Sequence, residues 1–121
     1  MERVVGIGGT FLRSPDPEAL RAWYETHLGI PIESWGGNVF LAEPGDATVW
    51  SIFPDESEYW PLAQQTMVNY RVRDLDAMLA QLRAAGVEVD ERTEEQEYGR
   101  FGWAVDIDGN RFELWEPSTP S

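Results

Sequence analysis

The sequence predicts an α+β fold made of two βαβββ modules in tandem, and three observations carry the prediction. Two segments have helical spacing with clear start and stop signals. A strand-like run precedes each of them, and shorter strand candidates separated by tight-turn residues follow. The two halves also correspond: Asp16, Ala19 and Ala22 fall on Asp74, Ala77 and Ala80, and Arg13 on Arg71, at one offset. Gly36, Glu43 and Pro54 fall on Gly99, Asp106 and Pro117 at a larger one, which places an insertion in or beside the acidic stretch ERTEEQEYG. The modules span about 1–57 and 64–118 of a single domain covering residues 1–121.

Taken in order, GIGGTFLR (6–13) reads as the first strand. The first helix opens at Asp16, a candidate N-cap, with Pro17 at its first position; Leu20, Trp23, Tyr24 and Leu28 form its apolar face, and Gly29 stops it. NVFLAE (38–43) and TVWSIF (48–53) read as strands around the turn Pro44-Gly45-Asp46. TMVNYRVR (66–73) alternates like a strand with one face against helices. Asp74 caps the second helix, Met78, Leu79 and Leu82 face inward, and Gly86 ends it before Val87. FGWAVD (101–106) and RFELWE (111–116) flank the turn Asp108-Gly109-Asn110, which Asp106 and Asp108 are expected to organise through their side chains. The run Glu94, Glu95 and Glu97 reads as a solvated loop.

Composition removes several function classes. With 121 residues and 42% hydrophobic content the chain can bury a core without staples. It has no cysteine, which excludes disulfides, thiolate metal sites and a Cys nucleophile. Nine basic residues, all Arg, against 22 acidic ones give a net charge of −13, which repels a phosphate backbone, so no nucleic-acid partner is expected. The start MERVVGIGG has neither the apolar core nor the cleavage pattern of a secretory signal, and no run approaches the roughly 18 apolar residues of a membrane span; a cytoplasmic protein with no membrane partner is the expectation. No Ser-His-Asp or nucleophile-elbow pattern occurs, and Gly6, Gly8 and Gly9 lack the spacing of a phosphate loop. The single His, His27, lies in the last turn of the first helix, where its charge suits the helix dipole.

One acid stands out. In GNRFELWEP, Glu113 sits mid-strand among bulky apolar side chains. Together with VRDLDAMLAQLRAAGVEV and YGRFGWAVDIDGNRFELWEP, the tandem βαβββ pattern closely resembles the vicinal oxygen chelate superfamily, which includes glyoxalases, extradiol dioxygenases, and fosfomycin- and bleomycin-resistance proteins. The resemblance covers nearly the whole chain. It implies strongly curved mixed sheets around a cleft, often in a homodimer, and in metal-dependent members it makes the acid of DGNxxEL a ligand. The other ligand positions it implies fall on Gly9, Trp50 and Met67, none of them suited to a hard or borderline divalent cation, so no metal and no cofactor are expected.

Strand alternation then defines what the cleft offers. Arg111, Glu113 and Trp115 share a face, as do Thr48, Trp50 and Ile52, and Met67, Asn69 and Arg71; Phe11 lies on the first strand. The expected ligand-binding set is Phe11, Trp50, Met67, Asn69, Arg71, Trp103, Arg111, Glu113 and Trp115, with Tyr98 and Phe40 as further walls. Two readings of Glu113 stay open here: a polar group in a small-molecule site, or one half of a buried ion pair with Arg71 or Arg111 amid tryptophans that fill the core or a dimer interface. Two functional classes follow from the resemblance. One is a metal-independent binding protein of the bleomycin-resistance type, sequestering a cationic or aromatic compound in an acidic, Trp-lined cleft. The other is a lyase, isomerase or dioxygenase with Glu113 as general base or metal ligand.

Overall fold

The computed structural model describes residues 1–118. Helix α1 runs Pro17–Leu28, strand β1 Asn69–Arg71, helix α2 Leu75–Ala84, and strands β2, β3 and β4 run Glu94–Gln96, Gly99–Val105 and Arg111–Pro117. The sheet order is β1-β4-β3-β2, with β1 parallel to β4 and the other pairs antiparallel. The α+β class is therefore as the sequence predicts, and the second module is a complete βαβββ unit.

Both helices begin and end for the local reasons written in the sequence. The Asp16 carboxylate accepts from the Ala19 amide at 3.1 Å and the Asp74 carboxylate from the Ala77 amide at 3.0 Å, so the repeat reproduces the cap as well as the residue. Pro17 opens α1, and Gly29 closes it at φ 68°, a left-handed conformation that glycine adopts without a Cβ penalty. The apolar stripe of α2 includes Leu75 as well as Leu79 and Leu82, and all three are buried against Ala104, Phe112 and Leu114 on one face of the sheet. α1 extends this core, with the rings of Trp23 and Tyr24 each 6.1 Å from that of Phe112. Across the β3–β4 turn Asp106 accepts from the Asp108 and Asn110 amides at 2.9 and 3.0 Å and from the Tyr24 hydroxyl at 2.7 Å. Asp106 thus ties the turn to α1, while among the described residues no side-chain bond from Asp108 takes part.

Two expectations are corrected. The acidic run is a loop only at Glu97, in the turn before β3: Glu94–Gln96 pairs with β3 as the edge strand, where charged side chains keep the outer edge solvated. In the first module, the runs 6–13, 38–43 and 48–53 form no strand, and α1 is that module's one regular element among the described residues. The physical reason is that a strand needs a hydrogen-bonding neighbour, and within this chain these runs have none. Their apolar side chains stand in solvent: Phe11 is 92% exposed, Trp50 72% and Leu41 84%.

Candidate functional site

The sheet has two faces, and its register decides what meets on each. Phe112 and Leu114 point to the helices, so Arg111, Glu113 and Trp115 point the other way. Register pairs Glu113 with Asn69 on β1 and with Trp103 on β3, which sets three polar side chains in one row across three strands. At the centre Glu113 is 8% exposed. Its Oε1 accepts from the Asn69 amide nitrogen at 2.7 Å, and its Oε2 accepts from the Trp103 indole N–H at 3.0 Å. A third donor comes from outside the sheet: the Tyr59 hydroxyl donates to Oε2.

Tyr59 belongs to the segment joining the modules, and that segment is fastened to the same face. The Gln64 side chain donates to the Arg111 carbonyl at 2.8 Å and accepts from the Arg111 amide at 2.9 Å, completing β4 as a neighbouring strand would. The Trp60 indole donates to the Gln64 carbonyl at 2.9 Å, and the Arg111 guanidinium to the Tyr59 carbonyl at 3.2 Å. The Tyr59 ring meets Trp103 edge to face at 5.8 Å and packs 5.4 Å from Phe53. Burial, and then the bond to Glu113, push the Tyr59 hydroxyl well above the usual phenol range, so it stays a proton donor.

Cations border the row without touching the carboxylate. The guanidinium carbons of Arg92 and Arg111 lie 5.0 and 5.6 Å from the Trp103 ring centre. Arg111 pairs with Asp90 at 3.0 Å, and Arg71 binds the Ala47 carbonyl at 2.7 Å with Asp46 at 3.6 Å. The Arg92 amide and then the Arg111 guanidinium hold the Asp90 carboxyl below the usual range. An ion pair between Glu113 and either Arg71 or Arg111 is therefore not formed: each arginine reaches a different carboxylate. A cavity of about 710 Å³ opens beside Tyr59, lined also by Glu58, Trp60, Asp90, Arg92 and Arg111. A second, of about 620 Å³, is bounded by Phe11, Tyr24, Gln64, Asn110, Arg111 and Phe112.

Of the nine residues expected at the site, Asn69, Trp103 and Glu113 are in direct contact, and Arg71, Arg111 and Trp115 share their face. Trp115 stacks on Phe101 at 6.2 Å and donates to the Tyr98 carbonyl at 3.1 Å. Phe11 borders the second cavity instead, Met67 is half-buried just before β1, and Trp50 is exposed. Trp50 was expected beside Glu113; the indole there is Trp103, because the run carrying Trp50 does not join the sheet. Of the further walls, Phe40 and Tyr98 are largely exposed. Sequence reasoning missed Tyr59, Gln64, Asp90 and Arg92. The one hint was an aromatic pair, Tyr59-Trp60, directly after the acidic run Asp55-Glu56-Ser57-Glu58.

The donor set around Glu113 does not fit a divalent cation. Its three partners present hydrogens, and an indole N–H has no lone pair to give. Among the described residues no three His, Cys, Asp or Glu side chains gather to hold an ion.

A βαβββ sheet with helices on one face and a buried carboxylate on the other defines a glyoxalase-type fold. The chain belongs to the Glyoxalase/Bleomycin resistance protein/Dioxygenase superfamily, whose family model matches residues 6–114. Among solved structures it is similar to a domain of that description from Frankia sp. EAN1pec, at 17% identity over 98% of this chain and 96% of that one with a TM-score of 0.62. It is also similar to an antibiotic binding protein from Streptomyces sp. CB03234, at 22% identity over 93% and 100% of the two chains with a TM-score of 0.56. A glyoxalase/bleomycin resistance protein from the same Streptomyces matches at 35% identity, but over 40% of this chain and 41% of that one with a TM-score of 0.36. No curated protein matches the chain. Among the described residues no helix is long and apolar enough to cross a membrane.

Proposed function

We propose that this protein is a metal-independent small-molecule-binding member of its superfamily, which sequesters a planar, cationic aromatic compound at Glu113. The observation that carries the reading is a buried carboxylate bonded to three neutral donors with no cation paired to it among the described residues. Oε2 takes two donors and Oε1 takes one, so Oε1 keeps a lone-pair direction open. A cation placed there supplies the missing counter-charge, and the aromatic side chains around the row favour a flat partner. That the similar Streptomyces structure is of an antibiotic binding protein agrees with a binding role. An enzymatic alternative, with Glu113 as general base, needs a substrate proton presented to the same open direction of Oε1; as a metal ligand Glu113 lacks companions, since Gly9, Trp50 and Met67 stand where the others belong.

The unpaired first-module runs support a homodimer. Exposed Val39, Phe40, Leu41, Val49, Trp50 and Ile52 are the kind of apolar strand surface that a second copy covers. A cytoplasmic location goes with this reading.

The test is a titration with proflavine, a planar cation, against anthracene-9-carboxylate, a planar anion, read by tryptophan fluorescence. Wild type is expected to bind the cation at least about tenfold more tightly, and Glu113→Gln is expected to lose that preference. Equal binding of the two probes by wild type contradicts the reading.

A further inference from the structure

Glu113 already holds a ligand-like group, and it comes from the chain itself. Two of its three donors, Asn69 and Trp103, are set on strands of the sheet, Asn69 exposed and Trp103 buried; Tyr59 alone sits on a segment without regular structure, and it is half-buried. Its ring rests edge to face on Trp103 with its hydroxyl on Oε2, the pose an aromatic ligand with a donor would take. On its other side the same ring lines the larger cavity, whereas Glu113 is not among that cavity's lining residues. Tyr59 thus stands between this cavity and the carboxylate. The backbone around it is held independently of the ring, by Gln64 on the Arg111 backbone and by Arg111 on the Tyr59 carbonyl, so displacing the ring from Glu113 does not require these fastenings to break.

We propose that Tyr59 is a built-in stand-in for the ligand, and that the ligand is an aromatic compound carrying its own O–H or N–H donor, which displaces the Tyr59 ring and takes over its hydrogen bond to Glu113. This deepens the binding role assigned above and rests on it. Removing the Tyr59 hydroxyl from a buried carboxylate leaves Oε2 short of a partner, and an incoming ring without a donor leaves it so. A site built to hydrogen-bond a group discriminates strongly against the analogue that lacks it. The segment therefore filters ligands: a flat apolar ring cannot recover what it displaces.

The experiment compares wild type, Tyr59→Ala and Tyr59→Phe, using 4-methylphenol and its donor-free analogue 4-methylanisole, read by tryptophan fluorescence and thermal melts. Tyr59→Ala opens a phenol-shaped space, and 4-methylphenol is expected to bind it at least about tenfold more tightly than wild type and than 4-methylanisole binds it. Tyr59→Phe keeps the ring and packing but gives up the bond, so it is expected to bind 4-methylphenol more tightly than wild type by a smaller factor; it carries the test if Tyr59→Ala does not fold. Equal binding of the two probes by Tyr59→Ala overturns the donor requirement. Equal binding of 4-methylphenol by wild type and both variants overturns the displacement. If proflavine binds wild type with a Glu113-dependent preference while 4-methylphenol responds to neither variant, the stand-in proposal alone falls. If none of the three probes binds any variant, the binding role falls with it.

Discussion

At the scale of single residues, the molecule places two carboxylates out of water and satisfies both with hydrogen bonds rather than with cations. Asp106 is 5% exposed and Glu113 8%, and a tyrosine hydroxyl reaches each. Tyr24→Phe deletes the 2.7 Å bond to Asp106 together with the hydroxyl's interaction with Tyr70, so a loss of about 1–3 kcal/mol is expected from urea denaturation; an unchanged midpoint contradicts the role given to that hydroxyl. The tyrosines also give the fold a pH dependence. Burial is the first cause lifting Tyr24, Tyr59 and Tyr70 above their ordinary value. The unfolded chain releases these protons near pH 10, while the folded chain keeps them to higher pH. Their contribution is therefore fully present below pH 10 and is lost as pH rises beyond it. Urea midpoints at pH 9 and pH 11 are expected to show lower stability at pH 11, and equal midpoints would mean these hydroxyls are not buried.

At the scale of elements, the second module closes on itself through contacts at its edges. Glu116 accepts from the Leu75 amide at 2.9 Å at the start of α2, and Arg100 on β3 reaches Asp76 in the first turn of that helix at 2.8 Å. Gly99 lets β3 begin against β4: its φ is 138°, and a Cβ there would stand 2.2 Å from the Glu116 carbonyl oxygen. Gly99→Ala is expected to destabilise by about 2 kcal/mol or more in thermal melts; a melt like that of wild type would show that β3 can start elsewhere. The helices were the most legible elements, since Asp16, Pro17, Gly29, Asp74 and Gly86 act locally and mean the same thing in any fold. β3 and β4 were legible because FGWAVD and RFELWE alternate around a turn. The acidic edge strand was not, because Glu94 and Gln96 earn their pairing from β3 rather than from any strand propensity of their own.

At the scale of the whole molecule, one half is a finished sheet and the other is a helix with unpaired runs. The runs at 38–43 and 48–53 are apolar and flank a turn as strands do, yet such a pattern names only what a strand would bury and not which neighbour pairs with it. The site was half legible for the same reason. Alternation and the FELW motif placed Glu113, Asn69 and Arg111 on one face, whereas Tyr59 and Gln64 arrive through long-range contacts that leave no periodic trace. If the unpaired runs are covered by a second copy, light scattering at micromolar concentration gives twice the 13.8 kDa chain mass, and a monomer mass contradicts the dimer. Glu113 as a buried carboxylate with no cation paired to it among the described residues is tested by the affinity of proflavine for wild type and Glu113→Gln, with melts recorded on the same samples. We expect the variant to stay folded, because no guanidinium is stranded by the change, while its affinity for the cation falls at least about tenfold. Unchanged proflavine affinity in a folded Glu113→Gln protein would contradict the account.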